Sequence, residues 1–142
     1  MKNILLIVSL LIFLNTRCFA EEIKSPLDYL DRDYVGVPFE QALNSNKPTM
    51  LIFASSKDIS SLFRIFPIGK FIYKEYKNDF NFTILNTDKI ANTVWIRTFA
   101  PAEFPALYIV DADARSYIFI DKRNYKKKAL KKIIEEYKKG TL

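Results

Sequence analysis

Histidine is missing from all 142 residues, and cysteine occurs once, at Cys18. Cys18 falls in an N-terminal stretch that reads as a cleaved leader, so the mature chain would hold neither residue. That excludes zinc sites, a Ser-His-Asp triad and histidine acid–base catalysis. It also leaves an exported chain with no disulfide and no thiol chemistry. No repeat and no low-complexity tract is present, apart from lysines clustered near the C-terminus. No apolar run is long enough to span a bilayer, since Ile4 to Leu14 is only the length of a secretory h-region.

The leader is read as residues 1–20. Lys2 supplies the positive n-region, and Cys18-Phe19-Ala20 puts small residues at −3 and −1 for cleavage before Glu21. A lipoprotein cut before Cys18 is the competing reading. Arg17 and Asn15 fit poorly where that cut wants small aliphatic residues. A periplasmic or secreted location follows. Removing Lys2 and Arg17 with the leader takes the formal charge from +6 to +4. So modest an excess is first of all a solvated basic face, with weak attraction to anionic membrane surfaces as the functional alternative. No nucleic-acid-binding motif is recognisable.

What is present is enough for a core: 49% apolar and 15% aromatic residues in a chain of one-domain length. Residues 21–37 form a polar, extended lead-in, whose Leu27, Tyr29, Leu30 and Tyr34 are placed to cover a sheet edge. The main domain is residues 38–142. A short helix is expected from Pro38 to Asn46, since proline favours a first helical turn. Thr49 to Ala54 is apolar throughout from Met50 to Phe53, as in a strand covered on both faces. The loop Ser55-Ser56-Lys57-Asp58 leaves it, without cysteine, histidine or glycine. Asp58, Ser60 or Ser61 can cap the helix Ser60 to Lys77, which is apolar round most of its circumference and should kink at Pro67.

A strand follows at Asn81 to Asn86. Thr87 or Asp88 can cap a helix from Lys89 to Phe99 whose apolar face is Ile90, Ala91, Val94, Trp95 and Thr98. Ala106 to Val110 and Tyr117 to Ile120 form an antiparallel hairpin. Asn124 to Lys139 is an amphipathic helix with Tyr125, Ala129, Ile133 and Tyr137 four apart, ended by Gly140. Asp111, Asp113 and Asp121 hint at a calcium loop, but Arg115 stands at position five and no glycine or distal glutamate follows. They read as a solvated turn. Ser55, Ser56, Lys57 and Asp58 as a Ser-Lys nucleophile pair is weighed against plain capping and turn formation, and the latter is the cheaper explanation.

This αβαβα order, closed by a hairpin and a terminal helix, resembles the thioredoxin fold over roughly Phe39 to Lys139. The features that carry the resemblance are Leu51-Ile52-Phe53-Ala54 running into the helix at Phe63, Pro67 within that helix, Asn86-Thr87-Asp88, and Phe104-Pro105-Ala106-Leu107. The resemblance implies an α/β fold, a three-layer α/β/α sandwich on a mixed sheet. It also implies a cis peptide bond at Phe104-Pro105 beside the site. The family's Cys-x-x-Cys would fall at Lys57 and Ser60, or at Ser56 and Ile59, and both cysteines are missing. Disulfide chemistry needs a thiolate and a second resolving thiol, so the redox activity is not carried over.

The expectation is therefore an exported, redox-inactive, non-catalytic domain with no cofactor and no metal. It binds a protein or extended peptide of the cell envelope in a cleft of Ser55, Ser56, Lys57, Ser60, Phe104 and Pro105. Trp95, Phe99 and Phe104 belong to the core or to that cleft's rim. Two other readings stand beside it: a degenerate thiol-disulfide oxidoreductase-type enzyme that borrows a partner's thiol, and an envelope-surface binder acting through the lysine-rich helix. N-terminal sequencing of the exported protein should return Glu21, and a lipidated Cys18 at the N-terminus would overturn the leader assignment.

Overall fold

Strand β2 (Thr49–Ala54) has no residue more than 2% exposed, and the rest of the chain is layered around it. A computed structural model describes residues 26–29 and 31–142; the leader, Cys18 and Leu30 lie outside them. A strand with apolar side chains on both faces must pair along both edges and be covered above and below. β2 pairs in parallel with β3 (Asn81–Asn86) and antiparallel with β4 (Ala106–Val110). β4 in turn pairs antiparallel with β5 (Tyr117–Ile120). A short strand β1 (Tyr34–Gly36) lies antiparallel on the far side of β3, giving a five-stranded mixed sheet in the order β1-β3-β2-β4-β5.

Among the described residues four α-helices cover this sheet: α1 (Phe39–Leu43), α2 (Ile59–Tyr76), α3 (Thr93–Phe99) and α4 (Lys127–Lys138). Side chains alternate across a strand, and the two cores follow that alternation. Met50, Ile52 and Ala54 pack with Leu62, Ile65, Phe66 and Ile72 of α2 and Leu130 and Ile134 of α4. Leu51 and Phe53 pack on the other face with Phe39 and Ala42 of α1 and Phe99 of α3. α2 continues through Pro67 as one helix. The α/β class, the mixed sheet, the hairpin and the terminal helix match the expectation from the sequence.

Three local features differ from it. The lead-in contributes β1, and so forms a sheet edge where it was expected to cover one. Tyr29 of that segment, within a 3-10 turn at Pro26–Tyr29, is fully buried against Phe66. The helix expected from Lys89 starts as a 3-10 turn, Ile90–Asn92, and becomes α-helical only at Thr93. That break rotates its faces: Ile90 is 92% and Val94 55% exposed, while Asn92 and Phe99 are buried. Finally, α4 begins at Lys127, because Asp121 first closes a 3-10 turn at Lys122–Asn124 by accepting the Arg123 amide.

α4 ends as its glycine suggests. Gly140 has φ 69°, its amide donates to Tyr137 O at 2.9 Å, and Thr141 N donates to Glu136 O at 3.0 Å. These two bonds satisfy carbonyls of the last turn in the Schellman pattern.

The rotated α3 face makes a direct comparison possible. Leu107→Ala, at a fully buried site of β4, should cost about 2–5 kcal/mol in urea unfolding. Ile90→Ala should stay within about 0.5 kcal/mol, whereas an inward-facing Ile90 would cost several times that.

Candidate functional site

The register of the central strands fixes the location. Phe53 pairs with Ala106, so the loop leaving β2 after Ala54 starts at the sheet end where Phe104-Pro105 enters β4. The Phe104-Pro105 bond is cis, as the resemblance implied. Pro105 is buried, and its carbonyl accepts from the Tyr125 hydroxyl at 3.3 Å. Phe104 is 36% exposed.

The loop is held from across the sheet end by Asp88. Its Oδ2 accepts from Ser55 Oγ at 2.8 Å, Ser56 Oγ at 2.9 Å and the Lys57 amide at 3.1 Å. Partial burial works against the charged carboxyl, but the hydrogen bonds from Ser55, Ser56 and Lys57 N–H and the Lys57 charge outweigh it and hold Asp88 below the usual carboxylate range. Asp88 was a candidate cap for the next helix. It makes no such bond, because its carboxylate is engaged by the loop more than thirty residues earlier.

A buried polar network backs this contact. The Asp88 amide donates to Asn86 Oδ1 at 3.1 Å, and Asn86 Nδ2 donates to Arg32 O at 2.9 Å. Asn92 Nδ2 donates to Asp33 O at 2.6 Å and to Asn86 O at 2.8 Å. Ala54 O accepts from the Tyr29 hydroxyl at 2.9 Å and from Thr87 N at 3.0 Å. Burial, then the nearby Asp88 charge, pushes the Tyr29 phenol well above its ordinary value. The lead-in, the β2 end and the β3 end are thus tied together, with no buried side-chain polar atom left unpaired among the described residues.

Asp58 caps α2, accepting from Ser61 N at 3.0 Å and Ser61 Oγ at 2.5 Å. Bonds from Ser61 and Ser60 hold its carboxyl low. Of the residues put forward from the sequence, Ser55, Ser56 and Lys57 converge on Asp88. Ser60 faces Asp58 and Arg64 instead. Phe104 and Pro105 lie at the same sheet end.

Two exposed apolar side chains on α2, Ile59 at 45% and Phe63 at 56%, also belong to this end. Trp95 and Phe99 divide from Phe104: both pack edge-on against Phe39, and Phe99 lies in the core.

The chemistry open to these groups is limited. Lys57 reaches Ser55 through its backbone amide, at 3.2 Å. A carboxylate held below its ordinary pKa is a poor base for a serine proton. Asp111, Asp113 and Asp121 are spent on bonds from Ser116, Tyr137, Arg115 N–H and Arg123, and no cluster of metal-ligating side chains occurs among the described residues. An open groove of about 710 Å³, lined by Pro48, Asp79, Phe80, Asp111 and Tyr137 among others, lies at the opposite end of the sheet. Lys138 pairs with Asp79 there at 2.9 Å, and Asp111 accepts from the Ser116 and Tyr137 hydroxyls.

Sequence reasoning passed over Asn86 and Asn92 as site groups, and Lys122, which donates to Phe104 O at 3.1 Å and pairs with Glu103 at 3.1 Å. The polar trio Asn86-Thr87-Asp88 after an apolar strand was the available signal. A scan against protein-family models finds no match for this chain, and a search of curated proteins finds none.

Because the Asp88 carboxyl is held low, its contribution to stability is complete above the ordinary value of about 3.9 and is lost as pH falls through the lowered value. Asp88→Asn should lack that part of the acid limb, so its deficit in urea midpoint should be largest near neutral pH and shrink on acidification. Amide exchange at Lys57 should speed up in the same variant.

Proposed function

We propose that the chain is a thioredoxin-like, redox-inactive domain that binds an extended polypeptide segment of the cell envelope. The binding cleft lies between the Ser55–Ser60 loop and Phe104-Pro105. The observation that carries this reading is the combination at one sheet end of a loop locked by Asp88 and the exposed apolar side chains Ile59, Phe63 and Phe104. The sheet order, the helices on both faces and Pro67 inside α2 support the thioredoxin-like assignment.

A pre-ordered rim lowers the entropy lost on binding. Apolar anchors at a sheet end suit an extended chain, which supplies main-chain hydrogen bonds and alternate side chains. One feature of the cleft modifies the expected mode. The Phe104 carbonyl is engaged by Lys122 Nζ, so a peptide pairing there must displace that ammonium or receive it as a neighbour. A peptide with an acidic side chain at that position would keep Lys122 satisfied.

The oxidoreductase-type alternative needs a thiol that no described residue has. The lysine-rich α4 stays as the surface-binding alternative, and its reliance on exposed charge makes it the salt-sensitive one.

Titration of the full chain with an unfolded, carboxymethylated polypeptide should show binding that survives moderate salt. Phe63→Glu and Ile59→Lys should each weaken it about tenfold or more, by placing charge on an apolar contact, with unchanged unfolding midpoints. Insulin disulfides should stay intact in the same mixtures. Binding that vanishes in salt and ignores both substitutions would move the function to α4.

A further inference from the structure

We infer that β5 is the interface for a second copy of this chain, joined edge to edge into one continuous sheet with Ile118 on the two-fold axis. The two edges of the sheet differ. β1 has three residues and ends at Gly36 with φ 96°, and Pro38 stands two positions on. β5 is Tyr117-Ile118-Phe119-Ile120, with no charge, proline or glycine inside it. Edge strands are normally blunted by such residues, and this one is blunted only at its flanks.

The hydrogen-bond phase of β5 shows what it offers. Asp111 N donates to Ser116 O at 3.0 Å. Bonded and non-bonded pairs alternate along an antiparallel ladder. In the observed register the Ile109–Ile118 pair is therefore bonded, and the Tyr108–Phe119 and Val110–Tyr117 pairs are not. The N–H and C=O groups of Tyr117 and Phe119 thus point away from β4, toward the open edge.

A two-fold axis normal to the sheet keeps each side chain on its own face, so odd residues must meet odd residues. Two central registers satisfy this. One sets Tyr117 opposite the second copy's Phe119, closing four main-chain hydrogen bonds, and sets Arg115 opposite Asp121 twice over. The other centres on Phe119 and sets Arg115 opposite Arg123. Opposite charges across a strand pair stabilise it and like charges oppose it, which selects the first.

The same register extends an aromatic row. Tyr108 already lies 5.6 Å from Tyr117 and 5.4 Å from Phe119. Tyr117 and Phe119 are 49% and 48% exposed, and each would gain an aromatic neighbour from the second copy. Asp121 is held by Arg123 of its own chain, and the second copy's Arg115 would join it as a further donor. So short an overlap buries less than the about 1,200–2,000 Å² of a standard interface. The dimer is therefore weak and concentration-dependent. Because the two-fold pairing uses β5 of both copies, it closes at two.

The test uses the full chain carrying Cys18→Ser, so that an added cysteine is the only thiol. Ile118→Cys should form a covalent dimer on mild oxidation at least about tenfold faster than Tyr34→Cys on the opposite edge, since facing Cα atoms of a non-bonded pair lie within disulfide reach. Sedimentation should show self-association of the unsubstituted chain. Arg115→Asp should weaken it roughly tenfold through two like-charge pairs, and Arg115→Asp with Asp121→Arg should restore it. A monomer at all concentrations, or cross-linking at Ile118→Cys no faster than at Tyr34→Cys, overturns the proposal. A strand supplied by some other protein would give that same negative result.

Discussion

A strand that is apolar on both faces from Met50 to Ala54 cannot be left half covered, and β2 imposes that demand on the whole chain. Its burial requires two strand neighbours, two helical layers and a lead-in that closes over the end of the sheet. At about 25 cal/mol per Å² of apolar surface removed from water, no alternative arrangement that exposes Met50 to Phe53 competes. The cost is that both ends of β2 must become loops, and one of them takes the position where open α/β sheets place their ligands.

That loop is polar but tightly held. Three donors converge on one oxygen of Asp88, and Asn86 and Asn92 fix the backbone that carries it. Charge-assisted bonds of this kind are stronger than neutral ones. They make the loop an ordered rim in which the serine hydroxyls are already committed. The apolar groups around it, Ile59, Phe63 and Phe104, are the ones left with unsatisfied area.

Most of the framework was legible in the sequence because it rests on local period. The β2 run, the heavily apolar α2 and the four-residue spacing of α4 all announce themselves within a dozen residues. α3 was misread because Asn92 is drawn inward by carbonyls of Asp33 and Asn86, and that pull sets the helical phase. β1 was invisible because three residues carry no period of their own; pairing with β3 makes them a strand. The site divided in the same way. Ser55, Ser56 and Lys57 could be placed from their position after β2. Their partner Asp88 could not, since the bonds span 31 to 33 residues of chain.

The described chain also has a direction. Its first turn, at Tyr29, is bonded to the end of β2 beside the candidate cleft, while Leu142 lines the groove at the opposite end of the sheet. The six residues of β2 separate these ends by roughly 20 Å. A tether upstream of Pro26 would hold the cleft close to whatever anchors it, with the lysines of α4 leading away. A reporter fused after Leu142 would ride on the distal side, clear of anything the cleft holds. The molecule is polar in the mechanical sense, with its first described turn and the candidate cleft at one end of β2 and its last residue at the other.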